Sequence, residues 1–111
     1  MSVNIPSELK NIKRFLTVAD LDSIAFRKLL DFAIERKKAF KAGQLEPIHR
    51  GKTLAMIFQK PSLRTRLSFE VAMVHLGGHA VNLEDHQIGM GRREASQDVA
   101  RVASSMCNAI M

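Results

Sequence analysis

Several residue types are scarce in this sequence. The 111-residue chain has one cysteine, Cys107, and neither tryptophan nor tyrosine. A single cysteine excludes an internal disulfide. Because it lies in a segment with helical apolar spacing, we expect it to be a buried helix residue. The phenylalanines occupy apolar positions instead of alternating with basic residues, so the base-stacking pattern of nucleic-acid-binding domains is missing and no nucleic-acid partner is expected.

Long apolar runs are also absent. No stretch approaches the ~20 residues needed to span a bilayer, and the start, from Ser2 to Leu9, lacks a basic segment followed by an apolar one. We therefore expect a cytoplasmic protein with no membrane partner. With 46% hydrophobic and 25% charged residues, the composition is that of one soluble globular domain.

Positive charge is in excess. The 17 Lys and Arg exceed the 11 Asp and Glu, which gives a net charge of +6. A nucleic-acid partner, an anionic ligand or merely a basic variant of an ordinary domain would each produce this balance. Composition alone does not choose among them.

The first half of the chain predicts a long helix and then a buried strand. From about Asp20 to Ala42, Phe26, Leu29, Leu30 and Ala33 recur at helical spacing. The basic residues of this segment predict a solvated helix face. After a loop, the apolar run from Thr53 to Phe58 is typical of a buried strand.

The second half alternates helices and strands. The spacing predicts a helix from Ser62 to Leu76 with apolar residues on two sides, which favours burial between layers. A strand is expected from Ala80 to Leu83, followed by a polar loop from Glu84 to Ala95. A third helix should then begin, with Ser96 as its N-cap and Val99, Val102, Ala103 and Met106 on one face.

This alternation indicates an α/β fold, a three-layer parallel sheet whose strands are joined by crossover helices. The run Ala109 to Met111 has the character of a further strand. We therefore expect residues 1–111 to be a partial domain whose sheet is incomplete at the carboxy-terminal end.

The turn into the second helix carries the most chemical information. Ser62, Arg64, Thr65 and Arg66 fall in the first turn of that helix, where the helix dipole disfavours cations. Exposed N–H groups, two hydroxyls and a guanidinium fork could surround a phosphate, which would compensate the charge. The alternative is a serine N-cap with the arginines paired to nearby acids such as Glu70.

Two other sequence patterns are weaker evidence for a functional site. Gly51 to Thr53 imitate the end of a P-loop, but Glu46 stands where a glycine is required and the triplet precedes a strand instead of following one. His75 and His79 are four residues apart, but a glycine pair breaks the intervening helix, so no metal site is expected. A serine followed by arginines also has no neighbouring base that would make it a nucleophile.

The run KPSLRTR, followed by LSFEVAMVHLGGHAVNL, resembles the carbamoyl-phosphate motif of the transcarbamylases. The resemblance extends from KRFLTVADL to DVARVASSMCNAIM, and FQKPS, EVAM and LGGHA are more similar to ornithine than to aspartate carbamoyltransferases. It implies transfer of a carbamoyl group from carbamoyl phosphate to the side-chain amine of ornithine, which gives citrulline and phosphate. It also implies no metal or organic cofactor and a homotrimer or higher homo-oligomer.

The resemblance implies roles for single residues. Ser62, Leu63 through its backbone, Arg64 and Thr65 would bind the phosphate of carbamoyl phosphate. Arg64 would be catalytic, because a planar fork can hold phosphate oxygens while still reaching the carbonyl oxygen. Arg66 would support the site.

The sequence departs from the family pattern in two places. Gly89 stands where the family commonly presents a Gln or His to a neighbouring subunit, and His86 or Gln87 would have to replace it. The sequence also ends before the family's next arginine, its His-Pro-x-Gln motif and its ornithine-binding domain. We therefore expect the 111-residue chain alone to be inactive; the alternative is a non-catalytic remnant or a stand-alone anion-binding module.

Overall fold

The computed structural model describes residues 3–111. The chain forms two compact units, Met1–Glu46 and Pro47–Met111. The first unit is helical. It contains α1 (Ser7–Lys10), a 3-10 helix (Val18–Asp20) and α2 (Ser23–Lys41). α2 begins where the side chain of its N-cap, Asp22, accepts a hydrogen bond of 2.7 Å from the Ala25 N–H. The prediction of a long helix here is confirmed.

The protected side of α2 contains only one of the four predicted apolar positions, Leu29. Phe26, Leu30 and Ala33 are exposed, whereas Ala25 is buried. The half-buried residues continue the row of Ala25 at helical spacing: Leu29, Phe32, Arg36 and Ala39. A charged residue is tolerated in this row because the Arg36 guanidinium lies 5.5 Å from the centre of the Phe32 ring and 2.7 Å from Glu35.

The second unit is built around a parallel sheet. It comprises β1 (Thr53–Phe58), α3 (Leu63–His75), β2 (His79–Glu84), α4 (Asp85–Ile88), α5 (Ser96–Met106) and β3 (Ala109–Ile110). The strand order is β2-β1-β3, and both pairings are parallel. Strands β1 and β2 pair from Thr53↔His79 to Phe58↔Glu84. The predicted α/β fold with crossover helices is confirmed.

β1 is the central strand of the sheet, and its apolar side chains are buried on both faces. Leu54, Ala55 and Met56 are buried, as the continuous apolar run predicted. Leu54 and Met56 form the core cluster with Ala80, and Met73 of α3 packs against it. On the other side of the sheet, α5 contributes the buried residues Val99 and Ala103.

Three local predictions were wrong. α3 is not buried between layers: within residues 3–111 none of its residues is buried, because only one side of the helix packs on the sheet, where Met73 contacts the core cluster. α5 has Ala95, not Ser96, as its N-cap, since the Ala95 carbonyl accepts the first N–H bonds of the helix. Cys107 is a half-exposed residue just after α5 rather than a buried residue within it.

Candidate functional site

The carboxyl ends of β1 and β2 lie side by side, because Phe58 and Glu84 are register partners. A cleft of about 470 Å³ opens at this edge, the usual place for ligands in open parallel sheets. It is formed by the β1–α3 turn, the start of α3, the end of β2 and the start of α4. Its lining residues are Phe58, Gln59, Lys60, Pro61, Ser62, Leu63, Arg66, Asn82, Glu84, Asp85 and His86.

The start of α3 offers uncapped hydrogen-bond donors to this edge. Ser62 is the N-cap by position, and its carbonyl accepts a 3.0 Å hydrogen bond from the Arg66 N–H. Its side chain caps no N–H group of the helix. The first N–H groups of any helix have no partner within the helix, so those of Leu63, Arg64 and Thr65 are available to an acceptor. Ser62 is thus the N-cap by position, as the alternative to a phosphate site predicted, but its hydroxyl does not cap the helix.

The predicted site residues are only partly brought together. Ser62, Leu63 and Arg66 line the cleft, whereas Arg64 and Thr65, on the same turn, do not. Arg64 is exposed and makes no ion pair within the part of the chain that the structure describes. The Thr65 carbonyl accepts a 2.9 Å hydrogen bond from the Ser68 hydroxyl. The roles predicted for Arg64 and Thr65 stay predictions.

Arg66 is the arginine with acidic partners. Its Nε lies 3.8 Å from Glu70 Oε2, and one terminal nitrogen lies 3.6 Å from Glu84 Oε1. The first contact is the i,i+4 pair that the sequence offered as the alternative to a phosphate contact. The second joins α3 to the end of β2. These contacts are in keeping with the supporting role predicted for Arg66.

Glu84 is a residue of the site that sequence reasoning missed. Its carboxylate lies 3.6 Å from Arg66 and 3.2 Å from His86 Nδ1, and it accepts a 3.3 Å hydrogen bond from the Asn82 side-chain amide. Since residues 82 and 84 of a strand share one face, the alternation Asn-x-Glu at the end of β2 was a signal that could have been read.

The predicted polar loop from Glu84 to Ala95 is confirmed only in its second part, because its first residues form the short helix α4 whereas residues 89–95 form turns. Glu84 and Gln87 form a reciprocal capping box, in which Gln87 Oε1 accepts a 3.3 Å hydrogen bond from the Glu84 N–H. Gly89 ends the helix in the left-handed region, with φ of 64°. Of the residues considered for contact with a neighbouring subunit, His86 lines the cleft, whereas Gln87 and Gly89 do not.

Charges of both signs line the cleft. Lys60 and Arg66 are balanced by Glu84 and Asp85, so the formal charge of the lining is near zero with His86 neutral. Among residues 3–111, no three His, Cys, Asp or Glu side chains are grouped so that they could hold a metal ion. The arrangement suits an anion held by N–H groups and the exposed Arg64 rather than by a strongly positive pocket.

A profile described as "Aspartate/ornithine carbamoyltransferase, carbamoyl-P binding domain" matches residues 13–111. The chain belongs to this family. Among curated relatives, ornithine carbamoyltransferase of Anoxybacillus flavithermus is 47% identical over 111 residues, which are 100% of this chain and 35% of that protein. The chloroplastic ornithine carbamoyltransferase of Pisum sativum is 47% identical over 90% of this chain and 27% of that protein.

Solved structures of family members share the fold. Anabolic ornithine carbamoyltransferase from Campylobacter jejuni has a TM-score of 0.81 and 38% identity over 90% of this chain and 32% of that one. The catalytic subunit of M. jannaschii aspartate transcarbamoylase has a TM-score of 0.79 and 31% identity over 89% of this chain and 33% of that one. The chain thus spans about a third of the length of the carbamoyltransferases that it matches.

Proposed function

We propose that this chain is the carbamoyl-phosphate-binding part of an ornithine carbamoyltransferase. The reaction is transfer of the carbamoyl group from carbamoyl phosphate to the side-chain amine of ornithine, with citrulline and phosphate as products. The observation that carries the proposal is the Ser-Leu-Arg-Thr-Arg motif at the start of α3, where uncapped N–H groups stand at the carboxyl edge of the sheet. The 47% identity to a protein named ornithine carbamoyltransferase supports ornithine over aspartate.

In this proposal, the first turn of α3 holds the phosphate group. The hydroxyls of Ser62 and Thr65 and the N–H groups of Leu63 and its neighbours donate to phosphate oxygens. Arg64 is the catalytic residue: its five-donor fork binds the phosphate and the carbonyl oxygen and stabilises negative charge as the phosphate departs. Because Arg64 has no ion pair in the described residues, no such contact has to break for its guanidinium to reach the ligand.

The chemistry needs positioning more than it needs a reactive side chain. The ornithine amine attacks the carbamoyl carbon, a tetrahedral species forms, and the C–O bond to phosphate breaks. Fixing carbamoyl phosphate on the turn replaces a bimolecular encounter with an oriented one. Arg66, which is held by two carboxylates, supports the geometry of the turn.

The proposal extends to parts that lie outside this sequence. Residues 1–111 would be a partial domain, ornithine would bind to a second domain, and the active form would be a homotrimer or a higher homo-oligomer. His86 or Gln87 would serve a neighbouring subunit in place of a residue at Gly89. The setting would be arginine metabolism in the cytoplasm. Among residues 3–111, no helix is long and apolar enough to cross a bilayer.

A carbamoyl-transfer assay tests this function. The natural protein that carries this chain should form citrulline from carbamoyl phosphate and ornithine, and should form far less carbamoyl product when aspartate replaces ornithine. The 111-residue chain alone should bind carbamoyl phosphate without turnover. Preference for aspartate would refute the substrate assignment. A natural protein that binds phosphate but transfers nothing would indicate a stand-alone anion-binding module instead.

A further inference from the structure

Glu84 is an unexpected residue in a cleft proposed for a phosphate ligand, since a carboxylate repels an anion. Its carboxylate is contacted from three elements: Arg66 of α3, Asn82 of β2 and His86 of α4. The Glu84 backbone is fixed as well, because its N–H donates to the Gln87 side chain. The carboxylate therefore has a defined place at the end of β2, beside the proposed phosphate site.

The Arg66 guanidinium is divided between two carboxylates. It lies 3.8 Å from Glu70 and 3.6 Å from Glu84, and both distances exceed those of hydrogen bonds. The carboxylates thus restrain the guanidinium by charge alone and leave its N–H donors unsaturated. Arg66 also lines the same cleft as Ser62, one helical turn away. The Arg66 guanidinium, which has unsaturated N–H donors, thus lies beside the proposed phosphate site but is held by Glu70 and Glu84.

We propose that Glu84 is a positioning residue that holds Arg66 against β2 and away from the bound phosphate. This inference rests on the proposed function, because it requires phosphate on the first turn of α3. Glu84 limits how tightly phosphate is held, so that the product phosphate can leave. Without the Glu84 carboxylate, the Arg66 fork turns into the cleft and adds a charge-assisted hydrogen bond to the ligand.

The test compares two near-isosteric variants, each of which removes one negative charge from the cleft. Asp85 also lines the cleft but makes no ion pair with Arg66 in the described part of the chain, so Asp85→Asn reports the effect of charge alone. Inorganic phosphate is titrated calorimetrically into the 111-residue chain at fixed ionic strength. Glu84→Gln should bind phosphate about tenfold more tightly, because the released Arg66 adds one hydrogen bond to a charged group. Asp85→Asn should gain only about twofold.

A charge-preserving variant guards against misfolding of Glu84→Gln. Glu84→Asp is shorter by one methylene and should release Arg66 while the charge of the cleft stays constant, so phosphate should again bind more tightly. Adding Arg66→Met to Glu84→Gln should remove the gain. In the natural protein, Glu84→Gln should lower the inhibition constant of product phosphate by about the same tenfold factor.

The results distinguish failure of the positioning role of Glu84 from failure of the proposed function. Equal gains for Glu84→Gln and Asp85→Asn, no gain for Glu84→Gln, or wild-type affinity for Glu84→Asp would overturn the positioning role and leave the proposed function intact. No binding of phosphate to the folded wild-type chain would overturn the proposed function and this inference together. Circular dichroism of each variant establishes that the compared chains are folded.

Discussion

The two arginines of the motif should respond differently when each is changed to lysine. In Arg64→Lys, a compact ammonium replaces a planar fork that is proposed to hold the phosphate and carbonyl oxygens. Loss of one transition-state donor of this kind typically costs about 3 kcal/mol, or about a hundredfold in rate. Stability should change by less than about 0.5 kcal/mol, because Arg64 is exposed.

Arg66→Lys should show the opposite pattern. The Arg66 side chain is 47% exposed and pairs with Glu70 and Glu84, which are 45% and 43% exposed. Solvent screens such pairs, and a single ammonium cannot span both carboxylates, so the loss is about 0.5 kcal/mol. For a domain of this size that is a fall of roughly 2–4 °C in Tm. The turnover rate should stay within about threefold of wild type.

The assay measures kcat and KM for carbamoyl phosphate in the natural protein and Tm in the 111-residue chain, for both variants. Near-normal kcat for Arg64→Lys, together with abolished kcat and an unchanged melt for Arg66→Lys, would show that the two roles are reversed. Loss of kcat in both variants would refute the inference that Arg66 is held away from the ligand.

Three further predictions concern stability and ionisation. Met56→Ala should cost about 2–5 kcal/mol in a chemical denaturation series, because Met56 is fully buried in the core cluster that it forms with Leu54 and Ala80; a loss below 1 kcal/mol would contradict this packing. Gly78→Ala should cost about 1–3 kcal/mol, because its Cβ would lie 3.0 Å from two backbone carbonyl oxygens and 2.6 Å from a methionine methyl group, so the melting temperature should fall clearly. The pKa of the Glu8 carboxyl is lowered by hydrogen bonds, first from the Glu8 backbone N–H and then from the Ser7 hydroxyl. The ionised Glu8 carboxylate therefore makes a small stabilising contribution above its unfolded-state pKa, and this contribution is lost as the pH falls through its folded-state pKa. An NMR titration midpoint at or above the ordinary value for glutamate would contradict the last prediction.

The sheet was predictable because its strands carry strong local signals. A six-residue apolar run such as Thr53–Phe58 has few alternatives to a central buried strand, and the glycines after α3 mark its end. Burial of the helices was harder to predict. In α2 the spacing fits two adjacent rows of residues, and tertiary contacts favour the row that contains Ala25 and the amphipathic Arg36.

The site was predictable only in part. The position of Ser62 at the end of a parallel strand and the start of a helix follows from local pattern. The contact between Arg66 and Glu84 joins residues 18 positions apart and depends on the register of two strands, which no local pattern specifies. The helix α4 was missed because its capping box uses a glutamate and a glutamine within a segment of mostly polar residues.

In the proposed function, the first turn of α3 binds carbamoyl phosphate. The most direct measurement is a backbone amide NMR titration of the 111-residue chain with carbamoyl phosphate, with inorganic phosphate as the stable comparison. We expect saturable shifts of the Leu63, Arg64 and Thr65 amides with a common dissociation constant, and loss of these shifts in Ser62→Ala/Arg64→Met. Absence of shifts at these three amides in a folded chain, or saturable shifts confined to other segments, would contradict this proposal.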